Sequence, residues 1–118
     1  MSLKISVRKV ENVAVLDLGG RITMGEAAGS LRDTIKELLA SNHQSVLLNL
    51  AGVTYIDSSG LGDLVGAFAS ASSRGARLKL LNMRTRVLEL MQITKLYSVF
   101  ETFEDEVVAI RSFSDRDA

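Results

Sequence analysis

Six residues near the middle of the chain, Asp57-Ser58-Ser59-Gly60-Leu61-Gly62, bring a carboxylate, two hydroxyls and two glycines into one short run. A serine nucleophile needs a base within hydrogen-bond reach, and His43 is the only histidine. It lies in the polar stretch Ser41-Asn42-His43-Gln44, which reads as a solvent-exposed loop, so hydrolase chemistry is not indicated. An acceptor aspartate at Asp57 would need acids after the first strand to hold a divalent cation. That strand ends in Arg8-Lys9-Val10 with only Glu11 following. Gly60, Gly62 and Gly66 give the spacing G-x-G-x-x-x-G, one residue away from the dinucleotide fingerprint. They also begin too late in 118 residues to leave room for a full Rossmann domain. With one histidine and no cysteine, only scattered carboxylates remain for a metal, and neither a metal site nor a cofactor is expected. No catalytic residue is assigned, and the chain reads as a binding protein and not an enzyme.

The physics of a strand-to-helix turn explains part of the run. Asp and Ser are favoured N-caps because a side-chain oxygen accepts from the first free N–H groups of a helix. The glycines are harder to explain that way, since each costs a helix about 1 kcal/mol against alanine. Glycine at such a place lets another backbone or a ligand approach closely. In an open α/β sheet this end of the strands is where ligands and partners are met.

The elements that position the turn follow from periodicity. Leu3, Ile5 and Val7 alternate with polar residues, and Val13 to Leu18 is rich in β-formers, so the two predict a hairpin around Glu11-Asn12 that ends at Gly19-Gly20. Glu26 to Ala40 carries Leu31, Ile35, Leu38 and Leu39 at helical spacing. Ser45 to Leu50 is a nearly continuous apolar run, the mark of a strand covered on both faces, and Val53 to Ile56 follows it. A helix is expected to open just after the serines, carrying Leu61, Leu64, Val65 and Phe68, and to stop near Arg74-Gly75. Arg77 to Leu81 alternates, with Leu78 and Leu80 inward. A shorter helix spans Arg84 to Gln92, a last strand Val99 to Phe103, and a terminal helix Glu104 to Arg111. The acidic run Glu101 to Glu106 reads as a solvated strand end and helix start. Met83, Leu90, Met91, Ile93 and Leu96 read as core packing with an exposed remainder.

The order implies an α/β fold, a mixed β-sheet opened by a hairpin with about four helices packed on it. Strand Ser45 to Leu50, helix Leu61 to Ser73 and strand Arg77 to Leu81 form a right-handed parallel crossover. At 118 residues the chain is expected to be a single domain over 1–118, with 112–118 a frayed polar tail. Hydrophobic residues make up 47% of it, enough for a core without a disulfide or metal. The 14 basic and 14 acidic residues cancel, leaving no charge footprint for nucleic acid or an anionic membrane. Neither a secretory leader nor a run of the roughly 20 apolar residues that span a membrane is present, so a cytoplasmic location without membrane insertion is expected.

The run Tyr55-Ile56-Asp57-Ser58-Ser59-Gly60-Leu61-Gly62 resembles the phosphorylation loop of the STAS-domain anti-sigma factor antagonists. The resemblance extends to Gly20-Arg21-Ile22, to Val46-Leu47-Leu48-Asn49-Leu50 and to Gly75-Ala76-Arg77-Leu78-Lys79-Leu80. It implies that Ser58, directly after the Asp, is phosphorylated by an anti-sigma factor with a histidine-kinase-like ATPase fold. Unphosphorylated antagonist binds that kinase and frees a sigma factor, and a phosphatase resets it. Asp57, Ser59, Gly60, Leu61 and Gly62 would shape or line the partner surface, with Thr23 framing it from the neighbouring loop. Many members carry an acid at the place of Thr23. The chain would act as a monomer or weak dimer. A phosphate on Ser58 adds a charge of about −1.5 to −2 and three acceptor oxygens, which a helix N-terminus tolerates. The expected switch is therefore repulsion and desolvation at the surface, without a change of fold. Domains of this kind also serve as subunits of lipid- or anion-transport complexes without a phosphate cycle.

Overall fold

Alternation in the first ten residues builds the expected hairpin, and the rest of the sheet grows from its second strand. The computed structural model describes residues 3–23 and 26–114, with side chains described outside 26–30. Strands β1 (Leu3–Val10) and β2 (Val13–Ile22) pair antiparallel, with Val10 opposite Val13 across Glu11-Asn12. Then come α1 (Glu26–Ala40), β3 (Ser45–Ile56), α2 (Ser58–Ser73), β4 (Arg77–Leu81), α3 (Thr85–Thr94), β5 (Thr102–Phe103) and α4 (Glu106–Ser114). A single 3-10 turn covers Leu96–Ser98. The five strands lie in sequence order, and every pair after the hairpin is parallel. This is the mixed sheet opened by a hairpin that the sequence predicts.

Both faces of the sheet are covered, which explains why the central strands read as continuous apolar runs. Ala14, Leu16 and Leu18 of β2 and Val46, Leu48 and Leu50 of β3 face the larger core. There they meet Leu31, Ile35 and Leu39 of α1, Leu61, Leu64 and Ala67 of α2, and Val87 and Met91 of α3. Each fully buried Val, Leu, Ile or Met among them contributes about 1.5–3 kcal/mol of transfer free energy. Val13, Val15, Leu47 and Leu81 face the other way, onto Ala109, Ile110 and Phe113 of α4. Because α4 covers that face, Lys79 and Leu81 are buried along with the expected Leu78 and Leu80.

Several boundaries differ from the predicted ones. Gly19-Gly20 does not end β2: the strand runs on to Ile22, taking up two irregularities in its pairing with β3, and Gly20 adopts a φ of 107°. The two runs at 45–50 and 53–56 are one strand, because the extended β2 gives the second half of β3 a partner. The serines lie inside α2 and not before it. The last strand keeps only Thr102–Phe103: Val99 closes the 3-10 turn, its N–H donating to Leu96 O at 2.9 Å, and Phe100 and Glu101 stand outside the strand. Helix α4 begins later than Glu104, because Asp105 caps it: its carboxylate accepts from Val108 N at 3.1 Å. It also continues past Arg111, with Ser112 half-buried and Phe113 buried. The fraying expected from Ser112 is not seen at 112–114, which are helical; residues 115–118 of that expected tail, like residues 1–2 where a leader was sought, lie outside the described residues.

Candidate functional site

The turn after β3 is built by three hydrogen bonds and one steric fit. Asp57 has extended backbone (φ −109°, ψ −178°), which breaks the strand and lets its side chain fold back over the helix start. Its Oδ1 accepts from Gly60 N at 2.8 Å, the N-cap arrangement the sequence predicts. Its carbonyl accepts from Leu61 N at 2.9 Å, and its own N–H donates to Ile22 O at 3.3 Å. The last bond ties the turn to the end of β2. Gly60 sits against the same residue: a Cβ there would lie 2.0 Å from Ile22 O and 2.9 Å from Ile22 Cγ2. The close approach inferred for a glycine is therefore real at Gly60, and the backbone that approaches is the protein's own. A Cβ at Gly62 would meet nothing within 4 Å.

This geometry divides the sequence-predicted site. Ser58, Ser59 and Gly62 are exposed on the first two turns of α2, and Asp57 is half-buried at their base. Thr23 is half-buried and directly follows Ile22, so it stands at the rim of the same turn. Gly60 is buried and Leu61 is only 3% exposed, so neither presents a side chain to a partner. Both seat the helix from below, Gly60 shaping the turn as expected. Asp63, one turn further, is buried and ion-paired with Arg32, which fixes α1 beside α2.

Beside Ser58 runs a groove of about 400 Å³, lined by Tyr55, Asp57, Ser58, Arg86, Glu89, Leu90 and Ile93 among others. Tyr55 is flanked by two guanidinium groups, Arg21 at 4.8 Å and Arg86 at 5.5 Å from its ring centroid, within cation–π range. Ile93 is 77% exposed, while Met91 behind it is fully buried, and Met83, Leu90 and Leu96 pack partly against the core. The groove contributions of Arg86 and Glu89 were not legible as a motif. They had a topological signal: β3 and β4 are parallel neighbours, so the segments that follow them lie side by side.

The histidine weighed for rival chemistry lies apart from the turn after β3. His43 precedes β3 and Ser58 follows it, so the length of a twelve-residue strand separates them. The His43 ring is half-buried rather than fully exposed, with Nδ1 3.2 Å from Leu38 O. The acidic run is not merely solvated. Glu101 pairs with Lys79 at 3.1 Å, Asp105 caps α4, and Glu106 pairs with Arg8 at 2.7 Å. Among the described residues no three His, Cys, Asp or Glu side chains gather to hold a metal, and no helix is long and apolar enough to cross a membrane.

The family model and the curated relatives point to one family, and solved structures share its fold. The STAS domain family model matches residues 4–109. The chain is 32% identical over 101 residues to the anti-sigma-B factor antagonist of Bacillus subtilis, covering 86% of this chain and 91% of that one. An anti-sigma factor antagonist from Mycobacterium paratuberculosis shares the fold with a TM-score of 0.85 at 19% identity, over 97% of this chain and 96% of that one. The Bacillus cell fate determinant SpoIIAA in its phosphorylated form shares it with a TM-score of 0.71 at 19% identity, over 92% and 99%. Anti-sigma factor antagonists are binding modules and not enzymes. An exposed serine turn on a helix N-terminus, carried by this sheet and matched along nearly its whole length, leads to one conclusion: the chain belongs to the STAS domain family, among its anti-sigma factor antagonists.

Proposed function

We propose that this protein is a phosphorylation-switched antagonist that binds an anti-sigma factor kinase while Ser58 is unmodified and lets go once Ser58 carries a phosphate. The observation that carries the reading is the exposure of Ser58 at the start of α2, directly after a capping Asp57 whose carboxylate is already held by Gly60 N. Ser58 Oγ attacks the γ-phosphorus of ATP held by the kinase. The Oγ–P bond forms, the bond to the ADP oxygen breaks, and the serine proton passes to a base on the kinase. Asp57 serves the turn and not the transfer. The phosphate adds charge at the positive end of the α2 dipole, which the fold accommodates, so the change is felt by the partner. A phosphatase hydrolyses the ester and restores binding.

That a protein of this fold exists in a phosphorylated form supports the reading. The partner surface comprises Ser58, Ser59 and Gly62 with Asp57 and Thr23 at its edge. The protein works in the cytoplasm, where ATP and sigma factors are, as a single 1–118 domain, a monomer or weak dimer. Affinity capture from the source organism's lysate with ATP present, using wild-type and Ser58→Glu baits, tests it. Capture of a histidine-kinase-like ATPase by wild type and not by Ser58→Glu supports the switch. Equal capture of a transport-complex subunit by both baits would make Ser58 a structural cap and replace the switch with a transport role.

A further inference from the structure

The groove beside Ser58 contains a cation that the fold does not otherwise spend. Arg8, Arg32 and Lys79 are committed to carboxylates. Arg86, exposed on the first turn of α3, lies over the Tyr55 ring instead, 5.5 Å from its centroid. A cation–π contact leaves guanidinium N–H groups that can still donate to oxygen acceptors. Tyr55 precedes Ser58 by three residues, and Ser58 and Arg86 line the same groove. We propose that Arg86 is a built-in receptor for the phosphate on Ser58, an intramolecular clamp that holds the modified turn across the groove. The proposal rests on the reading of Ser58 as the phospho-acceptor and adds the group that receives the product.

The other charges around the groove set the balance. Glu89 lines it one turn further along α3, at the i, i+3 spacing where it competes for Arg86. The Asp57 carboxylate lies at the base of the turn, bonded to Gly60 N. Arg21 also lies over the Tyr55 ring, 4.8 Å from its centroid. Arg86 and Glu89 line the same groove without an ion pair between them. A phosphate of charge about −1.5 to −2 with three acceptor oxygens outweighs the single Glu89 carboxylate. Once held by Arg86, it lies across the mouth formed by Tyr55, Leu90 and the 77% exposed Ile93. The off state is then occlusion of an apolar docking edge as well as repulsion.

The second ionisation of the phosphate reports the clamp directly. A cation at the phosphate favours the dianion and lowers that pKa from its ordinary value of about 6. The test is a 31P NMR titration of the full chain with phosphoserine incorporated at position 58, in wild type, Arg86→Gln, Glu89→Gln and Arg74→Gln. Arg74 caps the far end of α2 and controls for net charge. Expected are a phosphate pKa higher by about 0.5 in Arg86→Gln, a lower one in Glu89→Gln and no change in Arg74→Gln. An Arg86→Gln titration that superimposes on wild type, or an equal rise in Arg74→Gln, overturns the proposal. Kinase affinity of the same phosphorylated wild type is measured alongside. Undiminished affinity would sink the switch reading while leaving the Arg86 result to stand or fall by itself.

Discussion

Two polar regions of this protein sit on different parts of the sheet and spend their hydrogen bonds differently. Under α4, Arg8 bonds Asp17 at 2.6 Å and Glu106 at 2.7 Å, joining the hairpin to the helix start. Asn49 donates to Asp17 at 2.8 Å, and Asn82 donates to Asn49 at 3.2 Å, a row from β2 across β3 to the residue that follows β4. At the other end of α4, Lys79 donates to Ser112 Oγ at 2.9 Å and Arg77 donates to Phe113 O, cations set where a helix C-terminus favours them. Every one of these groups holds one element to another. At the turn after β3 the bonds hold backbone only, and the serine side chains are left at the surface. Saturated polarity is scaffold, and polarity presented on a rigid, capped turn is what a partner can read.

The largest effect that would break this contrast is at Gly60. Gly60→Ala places a methyl group 2.0 Å from Ile22 O and is expected to cost about 3 kcal/mol, the upper end of overpacking penalties, measured by urea unfolding. Asp57→Ala removes the cap and is expected to cost about 1 kcal/mol. It should also loosen the start of α2, seen as faster amide exchange at Gly60. Gly62→Ala should go the other way. Its Cβ meets nothing, so the variant gains up to about 1 kcal/mol from helix propensity, and any loss of kinase affinity in it marks Gly62 as a contact surface. Equal destabilisation of the two glycine variants would contradict the division between seat and surface.

The smallest effect belongs to the α4 region. Hydrogen bonds from Arg8 hold the carboxyls of Asp17 and Glu106 below their ordinary values of 3.8 and 4.5. Depressed carboxyl pKa values stabilise the fold above the unfolded values, and that stability is lost as pH falls through the folded ones. Arg8→Gln should therefore cost about 0.5 kcal/mol at pH 7, small because the pair is partly exposed. The gap to wild type should close as pH drops through the region below 4.5. Kinase binding at pH 7 should not change. A gap that widens in acid would refute the linkage.

Much of the fold was legible because hydrophobic period and turn chemistry agreed, as in the hairpin around Glu11-Asn12 and the helix carrying Leu31, Ile35 and Leu39. The strand interiors were less so. Gly19-Gly20 looks like an end, and only the partner strand shows that it is an irregularity within β2. Lys79 reads as outward by alternation, and only the packing of α4 reveals it as buried with its charge answered by Glu101 and Ser112. In the site, Asp57 was legible as a cap by its chemistry. Leu61 was carried into the binding surface by proximity in sequence, although its helical spacing with Leu64 and Phe68 already marked it as core. Arg86 lies 28 residues beyond Ser58, and only the adjacency of two parallel strands brings them to one groove.

The central claim is the switch at Ser58, and its most direct test is calorimetric titration of the captured kinase with unmodified chain and with chain carrying phosphoserine at position 58. Expected is binding of the unmodified chain and a loss of at least about tenfold on phosphorylation, on the order of 1.4 kcal/mol, with the circular dichroism of the two forms unchanged. Equal affinity for both forms would contradict it.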